Sequence, residues 1–85
     1  MGYSIIITTP DGKQFDEYIN SAVLPTICGK ITILSNHEPI IGVILNGETK
    51  IHDAKNSIVN FKNASGIYNF TGEKLYIFTN FFEFK

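Results

Sequence analysis

SAVLPTICGKITILSNHEPII, residues Ser21–Ile41, decides how this chain folds. Two apolar runs rich in Val, Leu and Ile flank Cys28-Gly29-Lys30, and Ser35-Asn36-His37-Glu38-Pro39 closes the second run. Apolar residues do not recur here at the 3.6-residue spacing of a helix. Short β-branched runs bounded by turn residues read instead as strands. The same segment holds Cys28, His37 and Glu38, residue types shared by hydrolase sites, metal sites and polar contact loops.

The pattern extends outward in both directions. Turn signals fall at Pro10-Asp11-Gly12, Cys28-Gly29, Asn36 to Pro39, Asn46-Gly47, Ala64-Ser65-Gly66 and Thr71-Gly72. They predict strands near Tyr3–Thr9, Lys13–Leu24, Lys30–Leu34, Ile40–Leu45, Thr49–His52, Ile58–Lys62, Gly66–Phe70 and Lys74–Phe81. The expected fold is all-β: a flattened sandwich of about eight to ten short antiparallel strands. In the second strand Phe15, Ile19 and Val23 share one parity, whereas Tyr18 and Leu24 have the other. A strand that changes its apolar side carries a bulge or passes between two sheets. In the last strand both Leu75/Ile77 and Tyr76/Phe78 are apolar, which predicts a central strand or one covered by a partner. Asn46-Gly47 predicts a two-residue hairpin loop.

Eighty-five residues make one domain spanning 1–85. Apolar residues are 44% of the chain, enough for a folded core. The formal net charge is −1 and the seven basic residues are all Lys, so there is no electrostatic footprint for nucleic acid. The absence of Arg also argues against a bidentate phosphate site. The single Cys excludes an intrachain disulfide. Asn63-Ala64-Ser65 and Asn69-Phe70-Thr71 match the glycosylation pattern, which is short enough to arise by chance in an Asn-rich chain. No secretory signal and no apolar run of membrane-spanning length is present, so a soluble chain without direct membrane insertion is expected.

The chemical sites are weak. Cys28 has His37 and His52 as candidate bases, but no cysteine-hydrolase signature surrounds it. Cys28, His37, Glu38, His52 and Asp53 are metal-ligand types at spacings that match no zinc pattern. Asp16 and Glu17 are adjacent, so on a strand they point to opposite faces. No Gly-rich turn leads into a helix to cradle a phosphate, and no aromatic run is interleaved with Lys as a single-strand binder requires. A non-catalytic β-sandwich that works by contact, without cofactor or metal, is the reading these residues support. A small metal-dependent β-domain enzyme is the alternative from another class.

The chain resembles the N-terminal β-sandwich of the epsilon subunit of rotary F-type ATP synthases, called delta in mitochondria. The motifs are IIITTPDG at Ile5–Gly12 with Phe15 after it, Val-Leu-Pro-Thr at Val23–Thr26, and GKITILSNHEPII at Gly29–Ile41. SGIYNFTGEKLYIFT at Ser65–Thr79 matches the family's Ser-Gly-Gly-Phe segment and following strand more loosely. The resemblance implies a rotor component of the central stalk. It would bind the gamma subunit and the polar loops of a c-ring, or a replacement for them. It would act on the alpha/beta catalytic hexamer indirectly, from the inner face of the membrane.

By the same resemblance Thr9, Ile41 and Gly42 face gamma, and Gly29, Lys30, Asn36 and His37 face the ring. His37 also reads as a loop histidine capping its own turn. The sequence stops where the family's two C-terminal helices would begin, so no C-terminal helical hairpin is expected. It departs from the family at Cys28 and Lys30, where acids are common, at Ser35 in place of Pro, and at Ile67 in place of the second Gly. Lys30 reverses a charge at a ring-facing position, which raises the alternative of a specialised rotary ATPase without an ordinary c-ring.

Overall fold

The computed structural model describes residues 2–12 and 14–84. Lys13, the expected first residue of the second strand, lies outside the described residues. Nine strands occur in chain order: β1 (Tyr3–Thr8), β2 (Gln14–Thr26), β3 (Gly29–Leu34), β4 (Ile40–Ile44), β5 (Gly47–Asp53), β6 (Ile58–Asn63), β7 (Gly66–Phe70), β8 (Lys74–Thr79) and β9 (Phe82–Phe84). There is no helix among the described residues.

The strands form one hydrogen-bonded sheet, ordered β1-β8-β7-β4-β2-β5-β6-β9, with β3 added to β2. The sheet closes on itself through β2, which also pairs with β1. The first half of β2 lies against β1, from Thr8↔Gln14 to Tyr3↔Ile19. Its second half lies between β3 and β5, and the register with β5 slips between Ile19 and Ser21. The slip is the bulge that the parity change predicts. It turns Ala22, Leu24 and Thr26 inward after Ile19, so that one strand serves both layers. One layer is then β4-β7-β8-β1, and the other is β3-β2-β5-β6-β9.

Side chains from all nine strands meet between the layers. Ile5, Ile7, Leu75, Ile77, Phe70 and Ile44 come from the first layer, and Leu24, Ile33, Ile51, Phe61 and Phe82 from the second. The two layers are also tied by a polar contact. The buried Tyr3 hydroxyl donates to the Ile33 carbonyl at 2.6 Å, and its ring meets Phe70 edge-on at 5.1 Å. Burial pushes the Tyr3 phenol well above the ordinary tyrosine range. A group held neutral in the fold but ionising in the unfolded chain makes the unfolded state bind fewer protons once pH passes the unfolded pKa. Stability is therefore full below about pH 10 and falls above it. Tyr3→Phe should cost about 1–2 kcal/mol at neutral pH, because the Ile33 carbonyl loses its partner. It should also flatten the alkaline decline, as measured by urea unfolding at pH 7 and pH 11.

Three expectations need correction. Asn46-Gly47 is not a hairpin loop. β4 pairs with β7, whereas β5 pairs with β2 and β6, so this dipeptide carries the chain from one layer to the other. The Leu45 N–H donates to the Pro25 carbonyl at 2.8 Å and fixes that corner, and Gly47 lacks the positive φ of a hairpin turn. The physical reason is burial: Ile44 belongs to one side of the core, Thr49 and Ile51 to the other. The tight hairpin is instead β2–β3, where Thr26 pairs with Gly29 around Ile27-Cys28. Gly29 there takes φ +96°, which a side chain would resist.

Second, not every pairing is antiparallel, since β1 and β8 run parallel from Ser4↔Lys74 to Thr8↔Phe78. Third, the last predicted strand ends at Thr79, not Phe81. The Thr79 hydroxyl donates to the Ala64 carbonyl at 2.8 Å, and the chain then turns to form β9 against β6. The aromatic run thereby closes the bottom of the second layer, with Phe61, Phe82 and Phe84 meeting edge-on.

Candidate docking faces

The two outward faces differ in chemistry. On the second layer the outward positions are Lys30, Thr32 and Leu34 on β3, then Ser21, Val23 and Pro25 on β2. Glu48, Lys50 and His52 follow on β5, and Ile58, Asn60 and Lys62 on β6. Glu48 lies opposite Lys62, which lies opposite Glu83. Leu34 and Ile58 are about half exposed here too, but they stand apart on β3 and β6 with charged side chains between them.

The first layer has no such charge pattern. Register aligns Val43, Ile67, Phe78 and Thr8 in one outward row, and Ile41, Asn69, Tyr76 and Ile6 in the next. Ile41 is 72% exposed, and Val43, Ile67 and Phe78 are each about half exposed. Tyr76 stacks on Phe78 at 6.4 Å with rings 6° from parallel. Across β4, β7, β8 and β1 neither row contains a charged residue; the second meets Asp16 of β2 beside Ile6 at the edge. Because the inner face of these strands already packs the core, the apolar outer face is surplus to folding.

The residues expected at interfaces fall in different settings. Ile41 lies on the apolar face. Thr9 is buried, its hydroxyl donating to Asp11. Gly42 faces inward, where a Cβ would stand 2.7–2.8 Å from the Tyr68 ring and hydroxyl. Burial, with the neighbouring Cys28 adding to it, raises the Tyr68 phenol above its ordinary pKa. Gly42→Trp, at a position the resemblance assigns to the gamma contact, should therefore unfold the domain by evicting Tyr68. The measurement is its melting temperature in isolation; a fold as stable as wild type would return Gly42 to the surface.

The expected ring-facing set is split by β3. Gly29 and Lys30 lie at its start, beside an exposed Ile27. The Thr26 hydroxyl donates to the Gly29 carbonyl at 2.6 Å and accepts from the Cys28 N–H at 3.2 Å, which stiffens that hairpin tip. Asn36 and His37 follow the far end of the strand. His37 Nδ1 donates to the Glu38 carbonyl at 2.6 Å, and its N–H donates to Leu34 at 2.9 Å. This is the turn-capping arrangement, with the ring standing edge-on to Phe70.

Cys28 and His37 are thus kept apart by the length of β3. His52 stands 3.4 Å from the Ser21 hydroxyl, on the second layer. Asp53 accepts from the Lys55 and Ser57 N–H groups in the β5–β6 turn. Of the two glycosylation patterns, Asn63 is buried with its amide committed to the Leu45 and Ala64 carbonyls. Sequence reasoning missed Val43, Ile67 and Phe78 as a single surface. The two-faced apolarity of Lys74–Phe81 was the available signal, but the row needs the β4–β7–β8 register to be seen.

Comparison with known proteins agrees with this architecture. Residues 3–85 match the family described as ATP synthase, Delta/Epsilon chain, beta-sandwich domain. The ATP synthase epsilon chain of Chlorobaculum tepidum is 26% identical over 77 residues, 91% of this chain and 88% of that one. That of Latilactobacillus sakei is 36% identical over 53 residues, 62% of this chain. The match spans 37% of the Latilactobacillus sakei relative and 39% of the Gloeobacter violaceus one. A chain of the Euglena gracilis mitochondrial ATP synthase, solved with OSCP and the c-ring, superposes with a TM-score of 0.90 at 14% identity. The overlap covers 98% of this chain and 53% of that one. A chain from the central stalk and c-ring of the Tetrahymena thermophila enzyme gives a TM-score of 0.77 at 17% identity. With the family match running from the first residue of β1 past the end of β9, this chain belongs to the delta/epsilon chain family of ATP synthases and forms its β-sandwich domain.

Proposed function

We propose that the domain is a non-catalytic rotor component of the central stalk, docked on the gamma subunit through the outer face of β4-β7-β8-β1. The observation that carries this reading is the contrast of the two outward faces, one charged and one apolar. A rotating shaft needs a rigid rider, and a sheet closed through β2 resists shear better than a loop or a single helix. The domain then helps couple ATP synthesis or hydrolysis to rotation and proton transport, lying peripheral to the inner face of the membrane. No helix among the described residues is long and apolar enough to cross a membrane. The test is co-purification of the chain with gamma, with and without c-subunit. Failure to retain gamma under either condition would overturn the assignment.

Lys30 favours a second reading at the foot of the stalk. It is exposed on a stiff hairpin, where it presents a cation beside Ile27. The complement to that surface is an acidic loop, on a c-ring or on a replacement for one. Lys30→Glu is expected to loosen the foot contact by up to about fivefold at low ionic strength, with the difference fading as salt rises. Tighter binding by the variant would instead indicate a basic ring loop.

A further inference from the structure

The apolar face ends in a hollow. Beyond the Val43–Ile67–Phe78–Thr8 row lies an open pocket of about 360 Å³. Thr8 and Pro10 line it at the end of β1, Ser65 and Gly66 at the start of β7, and Phe78 and Asn80 at the end of β8 between them. We propose that this pocket receives a single neutral aromatic side chain, best a tyrosine, projecting from the partner that covers the sheet face. The proposal rests on the docking reading above and names its anchor.

Area and charge carry the argument. Four strands about 4.8 Å apart, each contributing about five residues at about 3.3 Å, make a face of roughly 300 Å². A stable interface takes roughly 800 Å² from each partner. The flat face alone falls short for any partner, a second copy included, so the occupant must also enter the hollow at its end. A partner with a protruding side chain adds depth where a flat contact cannot. The pocket lining carries no ionisable group. A charged side chain entering it would lose hydration without a counter-charge. The Pro10 and Phe78 rings suit the body of an aromatic residue, and the Ser65 hydroxyl and Asn80 amide suit a phenolic tip. Tyrosine combines these and is a common interface anchor.

The test fills the pocket. Ser65 and Asn80 are exposed lining positions, so Ser65→Phe and Asn80→Trp occupy the space without entering the core. Gamma binding by the full chain is measured for both, with melting temperature as the folding control and Lys50→Glu on the charged face as the neutral control. The expected result is a loss of about tenfold or more for both variants at unchanged melting temperature. An alanine scan of the aromatic residues of gamma should find one that weakens binding to wild type but not to Ser65→Phe, the non-additivity of a shared contact. If both filled variants bind like wild type while Ile67→Lys does not, the pocket proposal is overturned and the docking face stands. If Ile67→Lys also binds normally, both are overturned.

Discussion

Ile67→Lys is expected to reduce gamma affinity by at least about thirtyfold while leaving the isolated domain folded. Ile67 lies at the middle of the outward row, with Val43 on one side and Phe78 on the other. About half its surface is exposed, so the lysine stem finds room in the free domain and its ammonium reaches water. In the complex that ammonium would be pressed against Val43 and Phe78, a row that offers it no carboxylate. Truncation of a central interface residue typically costs 2 kcal/mol or more, about thirtyfold, and a buried unpaired charge adds to that. Titration of gamma with wild type and variant, alongside thermal unfolding of each alone, reads both effects. An unchanged dissociation constant would move the gamma site off this face. The position is one where the resemblance drawn from sequence places a Gly. The departure adds apolar surface to the face that docking would use.

Gly66→Ala is expected to destabilise the domain by about 2–4 kcal/mol, the range of overpacked and strained sites. A Cβ on Gly66 would stand 2.0 Å from the Phe78 carbonyl oxygen and 3.0 Å from Thr79 Cα. Both obstacles are backbone, so no rotamer change relieves the clash. The strands must part at the Gly66↔Thr79 pair, and the same residue pairs with Ile44 on its other side. Parting them also strains the Thr79 hydroxyl bonds to Ala64 and Ser65, which hold the β6–β7 corner. For a domain of this size the melting temperature should fall by at least about 8 °C. A loss under about 2 °C would show that β7 and β8 can separate locally at little cost.

Eight of the nine strands were legible because each couples β-branched residues to a turn signal; β9, Phe-Glu-Phe, has none. The shared strand β2 could also be read, since Ile19 and Leu24 differ in parity. What could not be read was which strand lies beside which. Asn46-Gly47 has the local chemistry of a hairpin, yet tertiary burial sends β4 and β5 to opposite layers. The expected last strand runs on to Phe81 because apolar content cannot reveal the Thr79 hydroxyl that turns the chain. The resemblance assigns residues to the gamma contact by sequence position and says nothing of their depth. Ile41 proved to face outward, whereas Thr9 and Gly42 face inward.

The parallel ladder between β1 and β8 has a consequence for biosynthesis. Ile5 pairs with Leu75, about 70 residues later in the chain. At the usual 5–20 residues per second, β1 leaves the ribosome several seconds before its neighbour exists. During that delay only β2 can shield Ile5 and Ile7, and the first layer cannot assemble. Folding of the first layer is therefore delayed until β8 has been translated, and its high contact order makes it slow even then. An apolar nascent segment waiting that long is a natural client for a ribosome-associated chaperone.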